Sequence, residues 1–341
     1  MYTVYMHEHI YDIVDNPHLI NDVWAKFSPV SIKTYSWLKK GLKNVSILVT
    51  SDNGNFVLKF YRGDSSELSS EEIKRNCLLS NKLHHDGLPT PIFVPALEGD
   101  ILTTVEAANG MQYFVVASKY IKGADSASQY VSPGDLSVIA SAHTKFIQAV
   151  NSNDELVATF KKYSIKEEVQ KIYNDEVKQA IASYLATKEA SQEYISKIIN
   201  YYSGWGNYFW EGIMGGSELV VNANRLVHGD FNTKNVVVNS STVVAIFDFD
   251  NMTIAPEAYD VGRALNFLHY CGLPMAMSLN LYLESFYGKY SDEQRSACLF
   301  HAKYRSFYDF TRYFTYYHSH PGQTTDYTVR MKMLSEMEDL K

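Results

Sequence analysis

The sequence predicts an α+β chain in two lobes, a small lobe of antiparallel strands with one main helix followed by a mainly helical lobe. Three observations carry this. Two hairpin signals fall within residues 1–117. A single well-capped helix pattern lies between them. From Asp135 onward, apolar residues recur mostly at helical spacing. The expected division is a first lobe at 1–117, a short polar connection at 118–123 and a second lobe at 124–341.

In chain order, residues 7–27 carry Ile10, Ile13, Val14, Ile20, Val23 and Trp24 in a helical pattern, with Pro17 marking a break or a new start. Val45–Val49 and Phe56–Tyr61 flank Asp52-Asn53-Gly54, a two-strand turn signal. Ile101–Val105 and Gln112–Val116 repeat the arrangement around Asn109-Gly110. Ser69 with Glu72 three residues on reads as a capping box, and Gly87 ends that helix before Leu88-Pro89-Thr90-Pro91. Leu136–Val150, Ile165–Tyr202 and Tyr208–Met214 read as helical, as do 257–270, 276–290 and 292–318. A strand-loop-strand segment at 225–248 interrupts them, and 323–341 reads as a surface helix.

The chemistry concentrates in that interruption. His228-Gly229-Asp230-Phe231-Asn232-Thr233-Lys234-Asn235 leads into Val236-Val237-Val238, a turn at 239–241, and a second strand that delivers Asp248-Phe249-Asp250. Phosphoryl transfer asks for an Asp that takes the acceptor's hydroxyl proton, an Asn five positions later on one metal ion, and a second Asp on a following strand that joins metal to phosphates. Asp230, Asn235 and Asp248 stand in that order. An isolated His-Gly-Asp would read as a turn whose polar side chains cap the backbone; the matched spacing of all three favours chemistry. Lys59 sits in Phe56-Val57-Leu58-Lys59-Phe60-Tyr61, where alternation groups it with Val57 and Tyr61. A lysine in so apolar a strand suits phosphate pairing, although an exposed strand lysine is common. Glu72 is the candidate helix carboxylate for that lysine, in competition with its capping-box role. Lys39, Lys40 and Lys43 lie where a phosphate-covering loop would fall, but with one glycine, Gly41, the segment lacks a glycine-rich pattern. His143 on its helix, and the aromatic run from Phe300 to Tyr317, read first as packing; an aromatic cage for a cation is the alternative for the run.

Composition narrows the classes. Charged residues make up 20% and hydrophobic residues 46%, an ordinary globular balance. The net charge of −7 argues against a general nucleic-acid binder and leans toward a cationic or neutral small substrate. Cys77, Cys271 and Cys298 form no metal-spaced pair and read as buried thiols in a reducing compartment. No leader peptide and no run of about 18 apolar residues is visible, so a cytoplasmic protein without a membrane partner is expected.

With these residues in place, the chain resembles the aminoglycoside phosphotransferase and choline kinase-like superfamily, which has a protein-kinase-like fold. The matching motifs are Val57-Leu58-Lys59, Gly87-Leu88-Pro89-Thr90-Pro91, Tyr120-Ile121-Lys122-Gly123, Ile139–His143, His228 through Asn235, Asp248-Phe249-Asp250, and Pro256-Glu257-Ala258-Tyr259-Asp260. The resemblance runs from about residue 35 to 315, and its strongest block, 228–260, is shared across the superfamily and so does not name a substrate. It implies Asp230 as catalytic base, Asn235 and Asp248 as Mg2+ ligands, and Lys59 on the α- and β-phosphates of ATP. It implies that the main chain at Ser118, Lys119, Tyr120 and Ile121 reads the adenine, and that Asp260 braces the catalytic loop. One departure stands out. The superfamily places its helix Glu eleven residues before the glycine of the Gly-Leu-Pro exit, and here that residue is Asn76. Either Glu72 substitutes, or a weaker hydrogen bond replaces the ion pair. The expected activity is ATP-dependent phosphoryl transfer to a hydroxyl of a small molecule, such as a cationic amino-sugar antibiotic or an amino alcohol. The acceptor is expected between the 152–222 and 270–318 helices. The alternatives are a Ser/Thr protein kinase of the same fold and a non-catalytic nucleotide-binding scaffold, which the Asn76 departure would suit.

Overall fold

A computed structural model of the chain describes residues 13–38, 44–63, 68–107, 110–123, 132–215, 224–239, 241–316, 327–338 and 340. The lysines expected near a phosphate-covering loop (Lys39, Lys40, Lys43) and Asn109 of the second turn lie outside the described residues. The chain divides into two units. The first comprises Met1–Ala127 and Val243–Asp250, the second Ser128–Thr242 and Asn251–Lys341.

In the first unit, helix α1 (Pro17–Phe27) begins at the expected proline, with Asn16 as its cap. Strands β1 (Ile32–Trp37), β2 (Val45–Ser51) and β3 (Gly54–Arg62) form an antiparallel meander. Helix α2 (Ser70–His85) follows, then β4 (Phe93–Val94), β5 (Leu102–Glu106) and β6 (Gln112–Lys119). The sheet order is β1-β2-β3-β6-β4, with β5 also on β6. Its faces separate by strand alternation. Leu58 and Phe60 pack with Ile20, Val23, Trp24 and Phe27 of α1. Tyr61 and Val116 pack on the other side with Ile73 and Cys77 of α2. Lys59 therefore shares the α2 side with Tyr61, as alternation requires.

The exit from α2 is pinned back to it. The Ser80 hydroxyl donates to Pro91 O (2.7 Å) and the Thr90 hydroxyl to Ser80 O (2.7 Å). Strand β9 (Thr242–Ile246) docks here, its Ile246 N–H donating to Pro89 O (2.8 Å). This is why the Val243–Asp250 stretch clusters with the first unit.

The second unit contains α3 (Pro133–Val150), a single turn α4 (Asp154–Val157), α5 (Ile165–Ile172), α6 (Asp175–Thr187) and α7 (Gln192–Met214). The long helical stretch expected over 165–202 is thus divided. Asn174 and Ser191 cap new helices by accepting from Val177 N and Tyr194 N, which stops the preceding helix each time. The 208–214 segment is the end of α7 rather than a separate helix. Strand β7 (Asn224–Val227) pairs antiparallel with β10 (Thr253–Pro256), a strand the sequence pattern did not single out. Strand β8 (Val236–Asn239) follows the Asp230 loop. Helices α8 (Glu257–Tyr270), α9 (Met275–Tyr287), α10 (Asp292–Thr315) and α11 (Tyr327–Glu338) complete the unit. Gly262 lets α8 and α10 approach: a Cβ there would lie 2.6 Å from His301 Cβ and 2.7 Å from Cys298 O. Phe300, Tyr304, Phe307, Phe310 and Phe314 are buried, so these members of the aromatic run are core, while Tyr308, Tyr313 and Tyr316 are half-buried. No helix among the described residues is long and apolar enough to cross a membrane.

Candidate active site

In the second unit, the Asp230 loop leaves β7 at Val227 and turns at Gly229 with φ +75°. A side chain there would meet the Asn251 carbonyl oxygen well inside van der Waals contact. Only glycine takes this conformation in this space. Gly229→Ala is therefore expected to cost about 2–4 kcal/mol in urea unfolding, through left-handed strain plus overpacking, and to lower kcat beyond what the loss of folded protein explains.

Asp260 anchors the loop from below. Its Oδ2 accepts from His228 N and its Oδ1 from Gly229 N, both at 2.9 Å. His143 Nε2 lies 2.9 Å from Asp260 Oδ2, and its Nδ1 lies 2.9 Å from the Tyr282 hydroxyl. Asp260 sits at the fourth position of α8, and its carboxylate serves the loop, not the helix start. Burial alone would raise its pKa. The His143 imidazole and the His228 main-chain N–H outweigh that and hold it below the usual carboxylate range. Phe231, fully buried, stacks on the His143 ring at 4.0 Å and fixes the loop into the core.

The Asp230 carboxylate is held from two sides. Asn235 Nδ2 donates to Oδ2 and to the Asp230 carbonyl, each at 2.9 Å. Arg263 Nη2 lies 3.5 Å from Oδ1, with the Asp230 side chain still 31% exposed. Arg263 is itself fixed, donating to the Tyr259 hydroxyl at 2.9 Å and lying over that ring. Burial works against its charge, but Tyr259 and Asp230 keep its pKa well above the ordinary arginine value. Sequence reasoning missed Arg263. The available signal was its place three residues after Asp260, on one helix face.

In the first unit, Lys59 Nζ lies 2.8 Å from Asp250 Oδ2 and 3.2 Å from Asp248 Oδ1. Burial alone would lower the lysine's pKa, but the two carboxylates outweigh it and hold it well above 10.5. Burial, with Asp248 nearby, pushes the Asp250 carboxyl up to about 6 despite the pull of Lys59. Asp248 has φ +64°, a left-handed conformation rare for any residue but glycine, at the point where the chain leaves β9.

Glu72 takes the capping-box role. Its Oε2 accepts from the Ser69 N–H (2.8 Å) and hydroxyl (3.1 Å), while the ammonium of Lys59 donates to Asp248 and Asp250. Asn76, one turn further along α2, donates from Nδ2 to Phe249 O at 3.1 Å. Ser118 and Lys119 lie within β6 rather than in a connection. Ser118 pairs with Val57 on one side and Phe93 on the other. The N–H groups of Lys119 and Tyr120 already donate to Ile92 O and Asn55 O, and Ile121 follows the strand. A nucleotide-reading role here would fall to the remaining main-chain groups.

In each unit the candidate donor for a divalent cation is a hard oxygen. The bonds of Asn235 commit its amide nitrogen and leave the amide oxygen as the atom suited to Mg2+; Asp248 offers a carboxylate. Among the described residues no group of three or more His, Cys, Asp or Glu forms a metal cage.

Residues 218–287 match the family model described as "Phosphotransferase enzyme family", a span that includes Asp230, Asn235, Asp248 and Asp260. No curated protein sequence matches the chain significantly. Among solved structures, the chain is similar to an amicoumacin kinase in complex with AMP-PNP, Ca2+ and Ami. The TM-score is 0.63 at 12% identity, covering 95% of this chain and 92% of that one. It is also similar to a microcompartment-associated aminopropanol kinase, with TM-score 0.62, 16% identity and coverage of 95% and 94%. A third is a spectinomycin phosphotransferase in complex with ADP and spectinomycin, with TM-score 0.55, 13% identity and coverage of 94% and 92%. The fold is that of small-molecule kinases and aminoglycoside phosphotransferases, and it is the fold the sequence motifs predicted.

Proposed function

We propose that the chain is an ATP-dependent phosphotransferase that moves the γ-phosphate to a hydroxyl of a small molecule. The observation that carries this reading is the Asp230 carboxylate, fixed by Asn235 and Arg263 on a loop braced by Asp260, yet still open to an incoming group. That is the arrangement a general base needs, a defined position with a free approach. The family match over 218–287 and the kinase fold of the neighbours support it.

In this reading the acceptor hydroxyl approaches Asp230, which takes its proton as the hydroxyl oxygen bonds to the γ-phosphorus. The bond from that phosphorus to the bridging oxygen breaks, and ADP leaves. Lys59 would hold the α- and β-phosphates. Asn235 and Asp248 would hold Mg2+, which supplies charge screening at the phosphates when bound. Main-chain groups among Ser118, Lys119, Tyr120 and Ile121 would meet the adenine. The net charge of −7 favours a cationic acceptor, an amino sugar or an amino alcohol.

The test is an ADP-release screen over amino-sugar antibiotics, amino alcohols and neutral sugars, with Asp230→Ala as the blank. Acceptor-dependent ADP release, strongest among the amines, is the expected result. Release that occurs only with neutral sugars would remove the cationic preference. Radiolabel that appears on proteins instead would replace the small-molecule reading with a protein-kinase one.

A further inference from the structure

Asp250 carries a carboxylate that the reaction above does not use, and both of its oxygens are engaged. Lys59 Nζ (2.8 Å) and Asn44 Nδ2 (3.3 Å) donate to Oδ2, and the Tyr61 hydroxyl donates to Oδ1 (3.2 Å). We propose that Asp250 is the positioning residue for Lys59 and takes the place that a carboxylate on α2 would otherwise fill; this rests on the kinase reading above.

Three observations carry the assignment. Lys59 lies closer to Asp250 than to Asp248. If Asp248 is given over to Mg2+, a lysine that relied on it alone would lose its partner as the metal arrived, whereas Asp250 stays. The α2 side offers no such carboxylate at the facing position. Asn76, 5% exposed, donates instead to Phe249 O, so the helix holds the segment that holds the lysine. The ammonium also lies 4.7 Å from the Tyr61 ring centroid, and Tyr61 itself donates to Asp250. Lysine and tyrosine, two residues apart on one strand face, thus grip one carboxylate. The consequence is that Lys59 is aligned by the same three-residue segment that carries the metal ligand. It needs no separate movement of α2 to complete the pair.

The experiment has two readouts, and neither needs an acceptor. Urea unfolding of the unliganded wild type, Lys59→Met, Asp250→Asn and the double variant should show coupling of at least about fivefold in the folding equilibrium constant. Additive effects would overturn the pairing. Calorimetry with AMP-PNP and Mg2+ should show Asp250→Asn weakening binding by about tenfold or more, as Lys59→Met does. Adding Asn76→Glu to Asp250→Asn, which returns a carboxylate from the helix side, should regain most of that loss. Wild-type affinity in Asp250→Asn, or no recovery on adding Asn76→Glu, would overturn the role. Should Asp250→Asn not fold, Asp250→Glu carries the same comparison: binding kept near the wild-type level is expected, and loss as deep as in Lys59→Met counts against it. An acceptor screen that finds no substrate would count against the phosphotransferase reading and leave the unliganded coupling to decide the pair.

Discussion

Asp230→Ala is expected to leave AMP-PNP binding within a few-fold of wild type while kcat falls by about 10²–10⁴, the range for removal of a positioned general base. The effect is local. Asp230 lies on the second unit's loop, where Asn235 and Arg263 hold its carboxylate, while Lys59, proposed above for the α- and β-phosphates, is held by Asp248 and Asp250. Truncation removes the proposed proton acceptor and one partner each of Arg263 and Asn235, but Tyr259 still holds the guanidinium and the Asp230 carbonyl still holds the Asn235 amide. The stability change should therefore be small beside the kinetic one. Asp230→Asn sharpens the test, because it keeps the shape and the hydrogen bond from Asn235 while removing basicity. A kcat loss of similar size in both variants assigns the role to proton transfer. Steady-state kinetics with the best acceptor of the screen, paired with calorimetry for the nucleotide, checks both halves. Retained activity in either variant would remove Asp230 as the base.

Most of the candidate residues could be named from the sequence because they are close in the chain. Asp230, Asn235 and Asp248 stand on one strand-loop-strand segment, where spacing dictates geometry, and Lys59 announced itself as a charge inside an apolar strand. The residues that escaped are those whose meaning depends on distant partners. The role proposed for Asp250 comes from its contacts with Lys59 and Tyr61, 191 and 189 positions away in the chain. Arg263 gains its role by reaching Asp230 from another element. Strand β10 escaped because its pairing partner, β7, lies across the whole 228–250 segment, and a four-residue strand has no periodicity of its own to read. The helix breaks at Asn174 and Ser191 were visible as capping residue types, but the apolar periodicity on either side masked them. Glu72 is the reverse case. Its local signal, the capping box, was correct, and the functional expectation placed on the same carboxylate competed with it.

The largest stability effect is expected at Asp260, which touches none of the reacting groups. Its carboxylate is fully buried and receives the His228 and Gly229 main-chain N–H groups as well as the His143 ring. A carboxylate only accepts, so His143 donates from Nε2, and the Tyr282 hydroxyl then faces Nδ1. Asp260→Asn replaces one acceptor oxygen with an NH2 donor that must confront a main-chain N–H or the imidazole N–H. The buried loop donors cannot turn to water, so the substitution should cost about 3 kcal/mol or more in urea unfolding. The loop that carries Asp230 should shift with it, lowering kcat although no reacting group has been changed. The same carboxylate predicts an acid limit. Its folded-state pKa lies below the unfolded value, so the folded state binds fewer protons; its contribution is complete above about pH 4 and is withdrawn as the pH falls below that. Between pH 4 and pH 2, wild type should lose stability more steeply than Asp260→Asn, and the gap between the two unfolding curves should narrow. A gap that stayed constant with pH would mean that the ionised carboxylate is not what holds the loop, and that the cost of the substitution is steric.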